Sequence, residues 1–287
     1  MMKALYSGVS GLRSHQTKMD VIGNNIANVN TYGYKTQRAT FRDIYYQTIS
    51  NPSQASDGIG GTNSSQVGYG AKIGSVDTIH TLSGYSPTNK ETDVYINGDG
   101  YLKVVDASGN YFYTRYGALN FDSSGQLVDS NGSIVMGLNG EEIAADNVDI
   151  DEASLTAIKI DIDKFSNITI NSDGTITGVG LDSTDAATYN KVTTLGLIAI
   201  STVPNQAALK LEGSSYYSAG NNTGTITYHA AGLGGSGEIV TGGLEMSNVD
   251  LANEFSDMII TQRGYQANSK IITVVDEMLE QLVNMKR

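Results

Sequence analysis

The chain has 287 residues, no cysteine, no tryptophan, three histidines and a formal net charge of −12 at pH 7. The absence of cysteine excludes disulfides and thiolate metal sites. Residues 43–246 hold eight basic and twenty-three acidic side chains, whereas residues 1–42 hold six basic side chains and only Asp20 as an acid. This acidic middle argues against nucleic acid as a partner. Membrane insertion is also not expected, because no apolar run reaches the ~18 residues of a spanning helix.

The N-terminal segment, residues 1–35, begins with a predicted amphipathic helix over residues 2–28. Gly8 and Gly11 lower its helix propensity but permit close backbone approach. A terminal helix docked on the core of its own domain is one interpretation. The apolar spacing favours another, a coiled-coil seam. The seam residues are Leu5, Val9, Leu12, Met19 and Ile26.

The C-terminal segment, residues 241–287, contains a second and longer helical pattern without proline. Ser247 followed by Asp250 resembles a capping box, which predicts that the helix begins there. At about 1.5 Å per residue, the stretch from Ser247 onward spans about 60 Å, so we expect it to pair with the N-terminal helix and with neighbouring subunits. Its predicted seam residues are Leu251, Phe255, Met258, Ile271, Val275, Met278 and Leu282.

Residues 36–84 are predicted to connect the helical segments to a β-rich body over residues 85–240. Thr36–Ser50 is predicted to be extended or a short helix. Residues 51–70, rich in glycine, serine and asparagine, are predicted to form a long loop or linker. In the body, apolar and polar residues alternate, and the separators contain glycine, asparagine and aspartate, which predicts antiparallel strands. The predicted fold class is α+β, with the terminal helices pairing as a coiled-coil-like hairpin and a mainly antiparallel all-β body inserted between them.

The predicted strands of the body include two that are joined by a Gly-Asp-Gly turn at residues 98–100. A single apolar strand is predicted over Thr194–Thr202, and a β-like pair at Gln206–Glu212 and Thr225–His229. Residues 182–191 are predicted to form a short helix or a loop. The other predicted strands are Ile73–Leu82, Tyr111–Tyr116, Ala118–Phe121, Gln126–Val128, Ile134–Met136, Ile158–Ile162, Ile168–Ile170 and Thr175–Val179.

One glycine motif superficially indicates a cofactor site. Gly232, Gly234 and Gly237 match G-x-G-x-x-G, but dinucleotide binding needs this motif between a strand and a helix. Here the preceding chain is β-rich, so we interpret the glycines as a flexible hinge before the terminal helix. No cofactor is predicted.

The polar residues do not form a recognisable metal or catalytic pattern. A calcium loop at Asp161 and Asp163 would need a glycine and a glutamate at later positions, and both are missing. His15, His80 and His229 are scattered along the chain. We therefore predict neither a catalytic site nor a metal site, and no enzyme activity.

Three stretches carry a resemblance to a known family. Residues 20–35 read D-V-I-G-N-N-I-A-N-V-N-T-Y-G-Y-K, and residues 245–270 begin E-M-S-N-V-D-L-A-N-E-F. Residues 97–117 read N-G-D-G-Y-L-K-V-V-D-A-S-G-N-Y-F-Y-T-R-Y-G. In this order the stretches resemble the N-terminal signature, the C-terminal signature and the start of the β-domain of the bacterial flagellar rod and hook proteins.

The resemblance implies a structural subunit that polymerises through its terminal helices into a hollow tube. Residues 262–268, Q-R-G-Y-Q-A-N, and the linker at residues 59–70 resemble short hook subunits more than distal rod subunits. The sequence therefore favours a bendable hook tube that transmits torque from rod to filament. The distal rod is the alternative, and a secreted β-rich adhesin is less favoured.

The resemblance also implies partners and a location. The partners are other copies of the chain, the distal rod, hook cap and hook–filament junction proteins, and the flagellar export apparatus. Residues 1–12 lack the apolar core of about 7–15 residues that a secretory signal needs. An extracellular place in the hook or basal body therefore predicts export without a cleaved signal peptide.

Overall fold

The computed structural model describes residues 2–54, 60–140, 149–181 and 190–285. It divides into two compact units. The first, here called the helical unit, comprises residues 1–29, 36–79 and 249–287. The second, here called the β body, comprises residues 30–35 and 80–248. Residues 36–79, predicted to be a connecting region, thus group with the helices.

The described part of the helical unit consists of two helices and two β-hairpins. β1 pairs antiparallel with β4, and β2 pairs antiparallel with β3. The elements are α1 Met2–Ala27, β1 Gln37–Asp43, β2 Tyr46–Ser50, β3 Ser65–Gly68, β4 Ala71–Thr78 and α2 Leu251–Asn284.

The second hairpin corrects the loop predicted over residues 51–70. The pairing of β2 with β3 continues to a bridge between Ser53 and Thr62, and residues 55–59 lie outside the described part. Every side chain of β2 and β3 is exposed. No buried face imposes an alternating apolar pattern on these strands, so their composition is that of a loop.

α2 begins at Leu251, four residues after the predicted start at Ser247. Its N-cap is Asp250, whose carboxylate accepts hydrogen bonds from the backbone N–H groups of Ala252 at 2.9 Å and Asn253 at 3.4 Å. The carbonyl of Ser247 accepts a hydrogen bond from a side-chain hydroxyl of the β body instead. The 34 residues of α2 span about 51 Å. Neither α1 nor α2 has, among its described residues, an apolar stretch long enough to span a lipid bilayer.

The described part of the β body is built from short antiparallel strands. Its largest sheet follows the order β13-β14-β15-β11-β7-β8-β18-β17. The strands are β5 Tyr85–Pro87, β6 Val94–Asn97, β7 Tyr101–Val105, β8 Tyr111–Thr114, β9 Leu119–Phe121, β10 Leu127–Asp129, β11 Ile134–Asn139, β12 Thr156–Ala157, β13 Phe165–Ile170, β14 Thr175–Gly180, β15 Val192–Ile198, β16 Ile200–Thr202, β17 Lys210–Gly213, β18 Tyr216–Ser218, β19 Thr227–His229, β20 Glu238–Thr241 and β21 Gly243–Glu245.

The core of the β body lies on both faces of this sheet. Ile198 and Ile200 belong to one buried apolar cluster, whereas Leu197 and Ala199 belong to a second. Successive residues of a strand point to opposite faces, so both faces are covered here. This explains why the stretch is apolar throughout instead of alternating.

Several strand predictions need correction. The two strands predicted on either side of the Gly-Asp-Gly turn are confirmed as β6 and β7, although β6 pairs with β20 while β7 pairs with β8. The strand predicted over Thr194–Thr202 is divided at Ala199, where β15 ends and β16 takes new partners, β7 and β19. Glu152–Ser154 and Gln206–Ala208 are short 3₁₀ turns.

Two other predictions in the body differ from the structure, and a third concerns residues that are mostly outside the described ranges. The strand predicted over Ile158–Ile162 does not form, because β12 ends at Ala157 and Lys159 makes only an isolated bridge with Gln126. The pair predicted from Gln206–Glu212 and Thr225–His229 does not form, because β17 pairs with β18 and β19 with β16. Most of the segment predicted at residues 182–191 lies outside the described residues. The α+β class, with two helices enclosing an antiparallel body in sequence, is confirmed.

The glycines at residues 232–237 form a packed turn between β19 and β20. The N–H of Gly232 bonds to the carbonyl of Gly237 at 3.0 Å, and a Cβ atom at Gly98 would lie 2.6 Å from Gly237. This close approach holds the turn against the chain that precedes β7. The predicted hinge does not lie directly before α2, since β20 and β21 follow it, and its flexibility stays a prediction.

Candidate assembly surface

α1 and α2 pack antiparallel through small residues. A Cβ atom at Gly11 would lie 2.8 Å from the side chain of Asn268, and one at Gly264 would lie 2.7 Å from the ring of His15. Real Cβ atoms essentially never come this close, so the side chain opposite each glycine occupies the space that a Cβ would need. Of the two glycines predicted to permit close backbone approach, Gly8 lies against the backbone of α2, where a Cβ would be 3.5 Å from the carbonyl oxygen of Asn268, whereas Gly11 accommodates the Asn268 side chain.

Polar contacts fix the register at the other end of this helical pair. The buried side chain of Asn25 donates to the carboxylate of Glu254 at 2.9 Å and to the carbonyl of Gln37 at 2.8 Å. Its oxygen accepts the N–H of Gln37 at 3.0 Å. One amide side chain thus ties α1 to α2 and to β1. The Nζ atom of Lys18 lies 3.0 Å from a carboxylate oxygen of Asp257. Lys18 is about two turns from Asn25 on α1, and Asp257 is about one turn from Glu254 on α2.

His15 serves this interface as a packing group. Its ring lies 5.6 Å from the ring of Phe41, and its Nδ1 is buried without a hydrogen-bond partner in the described part of the chain. Burial, and secondarily the charge of Lys18, lowers the pKa of His15. This shift favours the neutral ring, which suits packing against the Gly264 backbone.

The N-terminal seam residues are half-buried in the structure. At 100° per residue, they lie on a stripe beside the face formed by Gly8, Gly11 and His15, which carries the contacts to α2 described above. The stripe consists of Leu5, Val9, Leu12, Met19 and Ile26. Its role in assembly stays a prediction.

The C-terminal seam residues divide into two groups. Val275 is buried and Met258 is half-buried. The remaining five are exposed, and they are Leu251, Phe255, Ile271, Met278 and Leu282. Sequence reasoning missed Ile259 and Ile260, which are 59% and 62% exposed, because they fall outside its four-three rhythm. Exposed apolar side chains in this number on one helix indicate an interaction site.

The second hairpin of the helical unit adds further exposed apolar side chains. Tyr45 is 76% exposed and Ile49 is 67% exposed, and Tyr46 and Val67 lie on the same two strands or beside them. An isolated two-stranded hairpin is at best marginally stable in water. Exposed aromatic and branched residues here therefore also indicate a surface that meets another chain.

A buried ion network lies in the β body. Glu245 on β21 accepts from Lys35 at 2.6 Å and from Arg115 at 3.3 Å, and all three side chains are at most 1% exposed. Lys35 also donates to the carbonyl of Thr81 at 2.7 Å. Sequence reasoning missed this network. The signal was present, since each of the three stretches that carry the family resemblance contributes one of its charges.

The network is surrounded by aromatic rings. The guanidinium of Arg115 lies 5.2 Å from the centre of the Tyr101 ring, whose hydroxyl is 2.8 Å from Nδ1 of His80. Burial lowers the pKa of Lys35, with Arg115 adding to the effect and Glu245 opposing it. Two cations share one carboxylate here, so the removal of that carboxylate would leave uncompensated buried charge.

The remaining candidate polar residues have structural surroundings. Asp161 pairs with Lys164 at 3.0 Å, and Nδ1 of His229 lies 3.2 Å from a carboxylate oxygen of Asp149. In the ranges that the structure describes, no three His, Asp or Glu side chains converge as a metal site would require. The exposed apolar side chains of α2 and of the β2–β3 hairpin are suited to association with other chains.

Comparison with known families finds three matching models. The model for the flagella basal body rod protein matches residues 5–35. The model for the D1 domain of the flagellar hook protein FlgE/F/G matches residues 95–178. The model for the C-terminal part of the flagellar basal body rod FlgEFG proteins matches residues 240–285. Each stretch that carried the resemblance lies inside one of these matches.

Similar proteins cover the whole chain. It is 44% identical to the flagellar basal-body rod protein FlgG of Bacillus subtilis over 288 positions, which include all of both chains. It is 36% identical to FlgG of Borreliella burgdorferi over 290 positions, again all of both chains. The flagellar hook protein FlgE of Borreliella burgdorferi is 29% identical over 442 positions and is also covered in full.

Proposed function

The chain belongs to the family of flagellar basal-body rod and hook proteins, and we propose that it is a structural subunit of the distal rod. The observation that carries this proposal is length. The rod relatives align over 288 and 290 positions with a chain of 287 residues, whereas the hook relative needs 442. The chain therefore matches the rod subunits in size and lacks the additional residues of that hook protein.

In this proposal the subunit polymerises through its helical unit. The exposed apolar residues of α2 and of the β2–β3 hairpin become buried against neighbouring copies, at about 25 cal/mol per Å² before ordering costs. In an axial tube, each contact joins two different surfaces of neighbouring copies. Such heterologous contacts repeat by a screw rotation. The partners are further copies of the chain and the adjoining axial proteins, and the subunit reaches them through the flagellar export apparatus.

The division of the chain follows from this role. We propose that the helical unit supplies the inner wall of the tube and that residues 36–79, which group with its helices, take part in the contacts between subunits. The predicted seam residues on α1 and α2 make the contacts between subunits. No catalytic step enters this role, which is that of a structural component.

The hook subunit is the second candidate. The segment Q-R-G-Y-Q-A-N at residues 262–268 resembles the hook version of the family signature, and two hook proteins align with the whole chain. Those hook proteins are much longer, however, which is why the relatives favour the rod. As a hook subunit, the same chain would form a tube that bends while it transmits torque.

Deletion of the gene in its own bacterium separates the two candidates. Electron microscopy of purified basal bodies should reveal rods that stop short of their distal part, because a rod subunit is missing. Complete rods that lack hooks would instead identify the hook subunit. Normal flagella in the deletion strain would contradict both.

A further inference from the structure

A groove of about 390 Å³ runs along α1 in the helical unit. Its described lining comes from α1, from Ile44 and from the start of β4. Tyr6, Val9 and Ile73 give it an apolar surface. At 100° per residue, its α1 side chains lie on the opposite side of the helix from Gly11 and His15, which face α2. The groove is therefore free on the side of α1 that α2 does not occupy.

The end of α2 presents an apolar stripe that matches such a groove. Leu279, Leu282 and Val283 continue the face on which Thr261 and Val275 are buried, yet they are 38%, 45% and 66% exposed. Gly8 of α1 lies opposite Ile272, so in an antiparallel pair Met2 is level with roughly Met278. The last turns of α2 thus extend past the described part of α1. Their spacing of three and four residues is that of a helix that lies in a groove.

The charges of the two surfaces are complementary. Arg13 and Lys72 line the groove, and neither has an ion-pair partner among the described residues. Between Ile271 and Asn284, α2 carries the acidic residues Asp276, Glu277 and Glu280 and no basic residue. The basic groove and the acidic helix end attract each other, whereas two grooves or two helix ends would repel each other.

We propose that the groove receives the last turns of α2 from a second copy of the chain. The contact joins two different surfaces, so each copy offers a free groove and a free helix end to further copies. Such a head-to-tail contact does not close on itself unless the rotation closes a ring. This inference rests on the proposed axial role and assigns the residues of one subunit contact within it.

A disulfide test suits this chain because it has no cysteine of its own. The double variant Tyr6→Cys, Leu282→Cys would replace the natural protein in its bacterium, and purified basal bodies would be oxidised. We expect a ladder of covalent oligomers on a non-reducing gel, since every copy carries both cysteines and can be linked to a neighbour at each of them. Either single variant should give dimers at most. The matched control, Val192→Cys with Leu282→Cys, places the first cysteine on an exposed site of the β body and should give no ladder.

The outcomes separate this contact from the proposed function. Assembled axial structures without a ladder would overturn the contact and leave the axial role intact. A chain that is absent from the axial structures even without substitutions would overturn both.

A charge exchange provides an independent test. Lys72→Glu should lower the number of complete axial structures about tenfold, which is the effect of about 1.4 kcal/mol per contact. Adding Glu280→Lys should restore them, because the pair is re-formed with reversed charges. Adding Glu91→Lys, an acidic residue of the β body, should not restore them. No loss in the single variant, or equal rescue by both additions, would overturn the contact.

Discussion

At the scale of single residues, the packing of the helical unit depends on two glycines. Gly11 and Gly264 lie where a Cβ would meet Asn268 and His15 at less than 3 Å. Glycine costs about 1 kcal/mol relative to alanine in a helix interior. That cost is offset here by the close packing of α1 on α2, because a Cβ at either position would have to displace the side chain opposite.

We expect Gly264→Ala to destabilise the helical unit although alanine is the better helix former. The new methyl group must displace the His15 ring, and overpacking of this kind typically costs about 1–3 kcal/mol. Hydrogen exchange of the purified chain should show faster exchange in α1 and α2, together with a lower midpoint of thermal unfolding.

Gly23→Ala is the matched control for this substitution. Gly23 also lies inside a helix, but a Cβ there meets nothing within 4 Å. This variant should gain up to about 1 kcal/mol from helix propensity alone. If the two variants shifted the midpoint in the same direction, the packing argument would be wrong.

A second residue-scale consequence concerns pH and His80. Burial, then the charges of Lys35 and Arg115, lowers the pKa of His80 from 6.5 to about 4. Between these values the unfolded chain binds a proton on His80 that the folded β body does not. The free energy of unfolding therefore falls as the pH is lowered from about 6.5 to about 4.

The variant His80→Gln should lack this part of the pH dependence. Urea unfolding at pH 7.5, 5.5 and 4.5 would measure it as the difference between the two proteins. Below pH 6.5 the natural chain should lose stability relative to the variant. Parallel curves over this range would contradict the assignment, because other titrating groups are common to both proteins.

At the scale of secondary-structure elements, α2 is the helix whose exposed surface most needs a partner. We expect Met278→Asp to block polymerisation while the β body stays folded, because a carboxylate would replace an exposed apolar contact. Leu12→Asp on α1 should act in the same way. Electron microscopy of the assembled tubes and circular dichroism of the monomer would report the two properties separately.

Val192→Asp is the control for the Met278 substitution. Val192 is 70% exposed and lies on β15, in the β body, so its replacement should leave both folding and polymerisation unchanged. Normal tubes from the Met278→Asp chain would mean that this part of α2 is not a contact between subunits.

The elements also differ in how far the sequence predicts them. α1 follows its heptad pattern almost to the residue, because one of its faces is buried and another is exposed. The β2–β3 hairpin has no buried face, so its sequence lacks the alternation of apolar and polar residues that would predict strands. The division at Ala199 is invisible for the opposite reason, since both faces of that strand are covered and only its hydrogen-bond partners change.

The assembly surface could be predicted only in part. Spacing alone identified Met278 and Leu282 on α2, which the structure leaves exposed. It did not identify Tyr45 or Ile49, since exposure on a hairpin depends on what the folded chain fails to cover. The ion network was also missed, because Lys35, Arg115 and Glu245 are far apart in sequence and meet only after folding. The one signal was that each of them lies in a stretch that carries the family resemblance.

At the scale of the whole molecule, apolar exposure and acidic charge are carried by different segments. Most of the strongly exposed apolar side chains, among them Tyr45, Ile49 and Met285, belong to the helical unit. The acidic residues predominate between residues 43 and 246, most of which form the β body. Net charge of one sign keeps proteins dispersed. We infer that the β body keeps copies apart in solution while the helical unit supplies the drive to associate.

The buried carboxylate of Glu245 has a consequence for how such a chain can change over time. It accepts a hydrogen bond from the backbone N–H of Ser83 at 3.3 Å, so it joins the start of the long β-body segment, residues 80–248, to its end. A module with joined ends behaves as a cassette, since insertions within it do not displace the segments outside it. We expect the additional residues of the longer hook relatives to fall inside this cassette, between the positions equivalent to 83 and 245. The helical unit could then be inherited unchanged while the cassette is exchanged.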